Sequence, residues 1–160
     1  MVPKHHSGRA RDIGKEMMKS ILDSHSWFLE RIAYHDALEI HILEGVRSAA
    51  PQQIQIAGVD LGEGYATDIT ENSRRVLVVF ENIAAYQVTN ESYTTADEYE
   101  IGTKGVLRKY DRSHYLDFVR RSTLINSLLA HAYTHFRLVL VDDVIDVIAK
   151  AGPRIEQQQS

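Results

Sequence analysis

The sequence has no cysteine, only three prolines and no long apolar run. Without cysteine the chain cannot form a disulfide scaffold, a thiolate zinc site or a cysteine nucleophile. No segment approaches the about 20 consecutive apolar residues of a membrane-spanning helix, and residues 1–9 lack the apolar core of a secretory signal. These absences predict a cytoplasmic protein with no membrane segment.

Positive charge is also scarce, and the 160 residues carry a formal net charge of -4. Nonspecific nucleic-acid binding needs many lysines and arginines, so we expect no nucleic-acid partner. The composition, 44% hydrophobic and 25% charged, is typical of a globular protein. We therefore expect a flexible tail over residues 1–9, one globular domain over residues 10–152 and a polar tail over residues 153–160.

Two segments have the apolar spacing of amphipathic helices. Ile13, Met17 and Ile21 recur at helical spacing and predict a helix over residues 10–24. A second helix is predicted to begin after Ser113, a good capping residue, and to run toward residue 130 before the last two strands.

The rest of the domain has strand-like patterns. Leu38, Ile40 and Ile42 alternate with polar residues and predict a half-buried strand. The apolar run 76–80 predicts a central strand that continues to residue 88 past a bulge near Asn82, whereas Gly58, Gly62 and Gly64 indicate a loop. Further strands are predicted over residues 53–56, 93–101, 136–141 and 144–148, and Gly102 and Gly105 indicate a turn before Val106. Because short turns join these strands, the predicted fold class is α+β with a largely antiparallel sheet.

Four residues form a candidate metal site. His131 and His135 are four residues apart and would share one face of a helix, while His35 and Asp36 could add nitrogen and oxygen ligands. This set indicates a metal-dependent hydrolase as an alternative function. The simpler interpretation is that the histidines flank strands and bond to nearby backbone groups.

Three aspartates form a second candidate metal site, in this case for Mg²⁺. Asp142, Asp143 and Asp146 follow a predicted strand, and carboxylates are the ligands that Mg²⁺ prefers in proteins. The simpler interpretation of this cluster is a turn, because aspartates are common in turns.

The sequence contains no nucleophile motif such as G-x-S-x-G or S-x-x-K. This absence favours a non-enzymatic protein with no cofactor. Residues 60–100 are instead strongly acidic, with only Arg74 and Arg75 as cations, and tyrosines are frequent in the same region. An acidic surface rich in tyrosine suits a basic protein partner. The candidate partner-binding residues are Glu63, Asp68, Glu71, Glu91, Tyr93 and Tyr99.

The order of several short segments over residues 35–148 resembles a known group of proteins. These segments are His35 to Ala37, Val79 to Ile83 with Tyr86, Ser113 to Val119, His135 to Leu138 and Val144 to Val147. The pattern is similar to that of small uncharacterised bacterial sheet proteins grouped with the immunity partners of contact-delivered toxins. The resemblance implies a non-enzymatic cytoplasmic protein that blocks the active site of a toxin. The acidic region 60–100 indicates that this toxin domain would be basic. A homo-oligomeric structural subunit, such as a homodimer, is a further alternative.

Overall fold

The computed structural model describes residues 21–24, 26–129 and 132–159. Strands make up 52% of these described residues and helices 13%, so the described part of the protein is mainly β and the predicted α+β class is wrong. The predicted helix over residues 10–24 lies almost wholly outside the described residues, and residues 23 and 24 are not helical. The strand content exceeds the prediction because segments with weak strand patterns, such as residues 59–64 and 154–158, also pair with neighbouring strands.

The described part of the chain contains short antiparallel strands. They are β1 (Trp27–Tyr34), β2 (Leu38–Glu44), β3 (Val46–Arg47), β4 (Gln52–Ile56), β5 (Val59–Gly64), β6 (Thr67–Asp68), β7 (Arg75–Phe80), β8 (Ile83–Asn90), β9 (Ile101–Gly102), β10 (Leu107–Arg112), β11 (Thr134–Val139), β12 (Asp143–Ala149) and β13 (Arg154–Gln158). Two larger sheets and two strand pairs are built from them.

The first sheet has the spatial order β1-β2-β7-β13. Leu38, Ile40 and Ile42 of β2 are buried, as their alternation with polar residues predicts, and they lie opposite apolar residues of β7. Strand β13 pairs with the other side of β7. The first sheet therefore extends into residues 153–160, the segment that the sequence assigns to a polar tail.

The second sheet has the order β8-β12-β11-β10-β9 and packs face to face with the first. Ile145 and Val147 of β12 join the same buried core as Trp27 of β1. The rings of Phe80 and Phe136, one from each sheet, have centroids 5.6 Å apart. The fold is thus a two-layer β-sandwich with one shared core.

The chain passes from one sheet to the other at Asn82. The sequence predicts one bulged strand from residue 76 to residue 88, but β7 ends at Phe80 and β8 begins at Ile83 in the second sheet. Asn82 has a φ of 51°, a left-handed conformation that asparagine tolerates better than most residues. The predicted bulge is therefore a corner between sheets.

Two short helices, α1 (His114–Ser122) and α2 (Ile125–Leu129), cover the outer face of the second sheet. Ser113 caps α1 as predicted, because its Oγ accepts a hydrogen bond of 3.1 Å from the backbone N–H of Leu116. Val119 of α1 packs in the same cluster as Ile148 of β12. Three strands follow these helices, not two, because β13 completes the first sheet.

Strands β4 and β5 form a separate hairpin, and the pair β3 and β6 lies at its base. The glycine-rich loop predicted near Gly58 to Gly64 is therefore wrong, since residues 59–64 form β5. Ala57 and Gly58 make the two-residue turn with φ values of 51° and 82°, as tight hairpin turns require.

The segment between β8 and β9 is mostly irregular. It begins with a short 3-10 turn over Glu91–Tyr93, capped by Asn90, and no strand occurs before β9. The strand predicted over residues 93–101 is wrong because Asn90 and Asp97 accept local backbone hydrogen bonds that favour turns.

Candidate functional site

Three polar side chains of the second sheet point away from the shared core. Asp146 alternates with the core residues Ile145 and Val147 of β12, so it lies on the outer face. His135 and Arg137 of β11 share that face, and the strand register sets Arg137 directly opposite Asp146. The outer face beneath α1 is therefore polar at its centre.

A series of hydrogen bonds joins this face to the cap of α1. The Oγ of Ser113 is 2.7 Å from Nδ1 of His135, and Nε2 of His135 is 2.8 Å from Oδ1 of Asp146. The exposed fractions of the three residues are 0%, 0% and 2% in chain order. The imidazole also stacks on the ring of Tyr110 at 4.7 Å and meets the ring of Tyr115 edge-on. Water is thus excluded from all three side chains.

The hydrogen-bond partners indicate where the protons lie. An ionised Asp146 only accepts hydrogen bonds, so Nε2 of His135 is the donor. Ser113 Oγ accepts from the N–H of Leu116, and its own hydroxyl hydrogen has an acceptor when Nδ1 of His135 is unprotonated. The neutral imidazole with its proton on Nε2 therefore satisfies every polar hydrogen in the series.

These residues are those of a hydrolase triad, but the arrangement is structural. A nucleophilic serine must be reachable by substrate, whereas the side chain of Ser113 is fully buried and holds the first turn of α1. It also bonds to Nδ1 of His135, and the carboxylate takes Nε2, the reverse of the arrangement in the common protease triad. The three side chains fasten α1 to β11 and β12.

Asp146 collects hydrogen bonds from three side chains. Besides His135, Nε of Arg137 donates to Oδ1 at 2.6 Å and Nε2 of Gln87 donates to Oδ2 at 3.0 Å. Burial by itself would raise the pKa of Asp146, but these hydrogen bonds together lower it below its usual value. Asp146 is therefore ionised at neutral pH and balances the charge of Arg137.

Arg137 extends from this network toward the surface. Its Nη1 donates to Oε2 of Glu100 at 2.9 Å and to the hydroxyl of Tyr110 at 3.1 Å. Its guanidinium also lies over the Tyr110 ring, 4.9 Å from the centroid. Burial would lower the pKa of Arg137, but the hydrogen bond to Asp146 and the nearby negative charges raise it. The guanidinium is thus held in one orientation.

Arg137 opens onto a cleft of about 450 Å³. Its floor is the outer face of the second sheet, including Arg108, Arg137 and Val144, and its wall is the segment between β8 and β9. Three threonines, Thr94, Thr95 and Thr103, add hydroxyl groups, and Lys104 adds a cation. The cleft is polar and of small-molecule size.

The wall of the cleft is fastened to α1 and β10. Asp97 accepts a hydrogen bond from the backbone N–H of Tyr99 and lies 2.8 Å from Nε2 of His114, and these two contacts lower the pKa of Asp97. The Tyr99 hydroxyl bonds to Asp117 of α1, which raises the pKa of Tyr99. Arg112 donates to the Tyr99 carbonyl oxygen at 2.7 Å. The cleft therefore has a fixed rim.

A different surface lies on the hairpin β4–β5. Ile54, Ile56, Val59 and Leu61 have exposed fractions of 42%, 62%, 60% and 59%. Ile56 lies opposite Val59 in the register, so strand alternation and the bulge opposite Ile54 place the four apolar side chains on one face. We call these four residues the hairpin patch.

The structure does not bring the candidate metal ligands His35, Asp36, His131 and His135 together as a group. His35 and Asp36 are exposed in the turn between β1 and β2, whereas His135 is buried beneath α1 and bonded to Ser113 and Asp146. His131 lies outside the described residues. No group of three or more metal-ligating side chains is present in the part of the chain that the structure describes.

The aspartates that the sequence groups as Mg²⁺ ligands have separate surroundings. Asp142 is exposed in the turn between β11 and β12, which agrees with the turn interpretation. Asp143 and Asp146 are three residues apart on β12, so their side chains point to opposite faces of the sheet. Only Asp146 belongs to the buried network.

The candidate partner-binding residues fall in two regions. Glu63 lies on β5, Asp68 on β6 and Glu71 in the following turn, so all three belong to the hairpin and its base. The other candidates, Glu91, Tyr93 and Tyr99, belong to the segment that forms the wall of the cleft. All six are exposed.

Sequence reasoning missed Arg108, Arg137, Glu100 and Tyr110 as members of one site. Two features of the sequence could have identified part of the site. His135 and Arg137 alternate with apolar residues in β11, and Asp146 lies among the apolar residues of β12. Two such strands predict a buried ion pair if they are neighbours in the sheet. The sequence alone does not show which strands are neighbours.

Comparison of the chain with protein-family models, with curated proteins and with solved structures finds no match. Among the described residues, no helix combines the length and apolar character needed to cross a membrane.

Proposed function

We propose that the protein is a non-enzymatic binding domain that holds a protein partner on the hairpin patch. The observation that supports this proposal is the exposure of Ile54, Ile56, Val59 and Leu61 on a single face. Contiguous exposed apolar residues with polar neighbours mark interaction surfaces in proteins that do not aggregate.

The hairpin lacks the support that the rest of the fold gives its strands. Strands β4 and β5 pair only with each other among the described residues, and all residues of β4 are exposed. A lone two-stranded hairpin is at best marginally stable in water. A partner that covers the patch would supply the apolar contacts that stabilise it.

The charges of the hairpin indicate the chemistry of this partner. Residues 52–64 contain Asp60 and Glu63 but no lysine or arginine, and Asp68 and Glu71 follow near the base. Complementary charge fixes orientation and speeds association. Asp60 and Glu63 lie opposite Gln55 and Gln53, on the face away from the patch, so basic groups of the partner would meet them around the edge of the hairpin.

Neutralisation of a toxin is the narrower form of the same proposal. It is supported by the resemblance to immunity proteins, which implies a toxin as partner, and by the acidic residues of the hairpin and its base, which favour a basic toxin domain. A cytoplasmic location belongs to this proposal.

The test compares two double variants of the full chain. Ile56→Thr with Val59→Thr makes the patch polar at its tip, and Gln53→Thr with Gln55→Thr is the control on the opposite face, where the new residues also favour strands. Proteins bound by each chain in extracts of the native host are identified by mass spectrometry, and the purified candidate is titrated by calorimetry. We expect the patch variant to bind at least tenfold more weakly and the control to bind like the original chain.

Equal binding by the patch variant and the control would contradict the proposal, as would the lack of any protein that distinguishes them. Reversing the charges of Glu63, Asp68 and Glu71 together tests the electrostatic part, and Glu91 is left unchanged because it lies on the wall of the cleft. Unchanged affinity at low salt would remove that part and leave the apolar contact.

A further inference from the structure

The floor of the cleft places two arginines side by side. Arg108 of β10 and Arg137 of β11 are directly opposite in the register, and both line the cleft. Like charges at directly opposite positions destabilise a sheet unless other groups compensate them. Such a pair therefore needs a reason in the structure around it.

The two arginines are compensated unequally. Arg137 is bonded through Nε to Asp146 and through Nη1 to Glu100, while its Nη2 has no acceptor among the described residues. Arg108 donates from Nε to the Gly105 carbonyl oxygen, and both of its Nη atoms likewise lack an acceptor in the described part of the chain. Several N–H donors of fixed direction are thus left at the cleft floor.

The opposite wall supplies negative charge. Three acids line the cleft, but Glu100 is bonded to Arg137 and Asp97 to His114. The carboxylate of Glu91 has no hydrogen-bond partner among the described residues. The free groups of the cleft are therefore cationic at the floor, with Lys104 nearby, and anionic at Glu91 on the wall.

We propose that the cleft binds a small zwitterion, an α-amino acid or a short peptide, with its carboxylate on Arg108 and Arg137 and its ammonium group toward Glu91. Arginine forks match a carboxylate with two parallel hydrogen bonds. The lining has cations at its floor and the carboxylate of Glu91 on its wall, so it favours a ligand with both charges over a simple anion. The volume of about 450 Å³ accommodates a ligand of this size.

The buried network gives Arg137 its fixed direction. Asp146 holds Nε of Arg137 and is itself held by His135 and Gln87. A guanidinium fixed before the ligand arrives loses little side-chain entropy on binding. The buried residues Asp146 and His135 therefore contribute to ligand recognition indirectly, because they fix the orientation of Arg137.

The test is a titration of the full chain, observed through backbone amide and arginine Nε–H resonances in NMR spectra. The standard L-amino acids and a set of dipeptides are added singly, and the best ligand is compared with its N-acetyl and its amide derivatives. We expect saturable shifts confined to the cleft residues, and at least tenfold weaker binding of both derivatives.

Two variants assign the ends of the ligand. Arg108→Gln should weaken the original ligand at least tenfold and remove the preference over the amide derivative. Glu91→Gln should instead remove the preference over the N-acetyl derivative. Arg154→Gln, which loses the same charge from β13 of the first sheet, should change neither preference.

Thermal melting of each variant checks that it folds, and we expect Arg108→Gln to melt no lower than the original chain because it relieves a like-charge pair. Absence of saturable shifts, equal binding of the N-acetyl derivative, or unchanged binding by Arg108→Gln would overturn the proposal. Inorganic phosphate that binds more tightly than every zwitterion would overturn it as well. The hairpin variants leave this cleft intact, so the two proposals fail separately.

Discussion

Replacement of Asp146 by asparagine tests the buried network directly. Asparagine has nearly the same shape, so the change removes the negative charge without opening a cavity. Arg137 then keeps Glu100 but loses its main partner. The new side chain has a single acceptor oxygen, so it cannot accept from His135, Arg137 and Gln87 together as the carboxylate does.

The magnitude follows from burial. Asp146 is 2% exposed, and removing one partner of a buried ion pair leaves an uncompensated charge at a cost of about 3–5 kcal/mol. Arg137 is only partly buried and retains Glu100, so we expect the lower end, about 3 kcal/mol. At about 2–4 °C per kcal/mol for a chain of this size, Tm should fall by about 6–12 °C.

The same charge makes stability depend on pH. The folded protein lowers the pKa of Asp146 below its usual value of 3.8. The stabilisation is complete above the pKa of the unfolded chain and is lost as pH falls through the lower pKa of the folded state. The original chain should therefore lose more stability in acid than the Asp146→Asn variant.

Urea denaturation at neutral pH and at several acidic pH values measures both effects. Asp143→Asn on the same strand is the control, because the Asp143 side chain has no hydrogen-bond partner among the described residues. A loss below about 1 kcal/mol for Asp146→Asn, a size typical of an exposed pair, would refute the assigned role of the network. An unchanged acid dependence in this variant would refute the assigned ionisation.

Three further changes test other parts of the structure. Ser113→Ala removes the cap of α1 and the partner of His135, and should cost about 1–2 kcal/mol in urea denaturation; a loss of a few tenths would contradict the capping role. Ala57→Gly relieves a left-handed φ of 51° and should stabilise the hairpin by about 1 kcal/mol. Hydrogen exchange of the hairpin amides should become slower, and equal or faster exchange would argue against the turn geometry. Burial raises the pKa of Tyr115 to about 12, so Tyr115→Phe should remove the absorbance change that an ultraviolet titration of the original chain shows near pH 12, and an unchanged titration there would contradict the burial of this ring.

Strands with a strong local pattern were predictable from the sequence. The alternation around Leu38 to Ile42 identifies a buried face because side chains of a strand alternate between two environments. Ser113 was predictable as a cap for the same local reason. Such features depend on neighbours in sequence, which a single chain displays.

Features that depend on distant neighbours were not predictable. Residues 154–158 are polar except for Ile155, and they form a strand because β7 offers them a free side and the core takes the Ile155 side chain. The corner at Asn82 is ambiguous in the sequence, since apolar residues continue on both sides of it.

The candidate site shows the same limit. Its members come from β10, β11, β12 and the segment before β9, which only the topology brings together. The spacing of His131 and His135 drew attention to a metal, whereas the contacts of His135 are Ser113 and Asp146.

The corner at Asn82 also limits how the two layers can move. Only Glu81 and Asn82 separate β7 from β8, and three residue steps of about 3.6 Å span at most about 11 Å. Stacked sheets lie about 10 Å apart, so even full extension of this link would let the layers part only slightly at this end. Sliding or parting of the layers at this end would break strand pairing before it opened the interior, and the sandwich should consequently melt as a single unit.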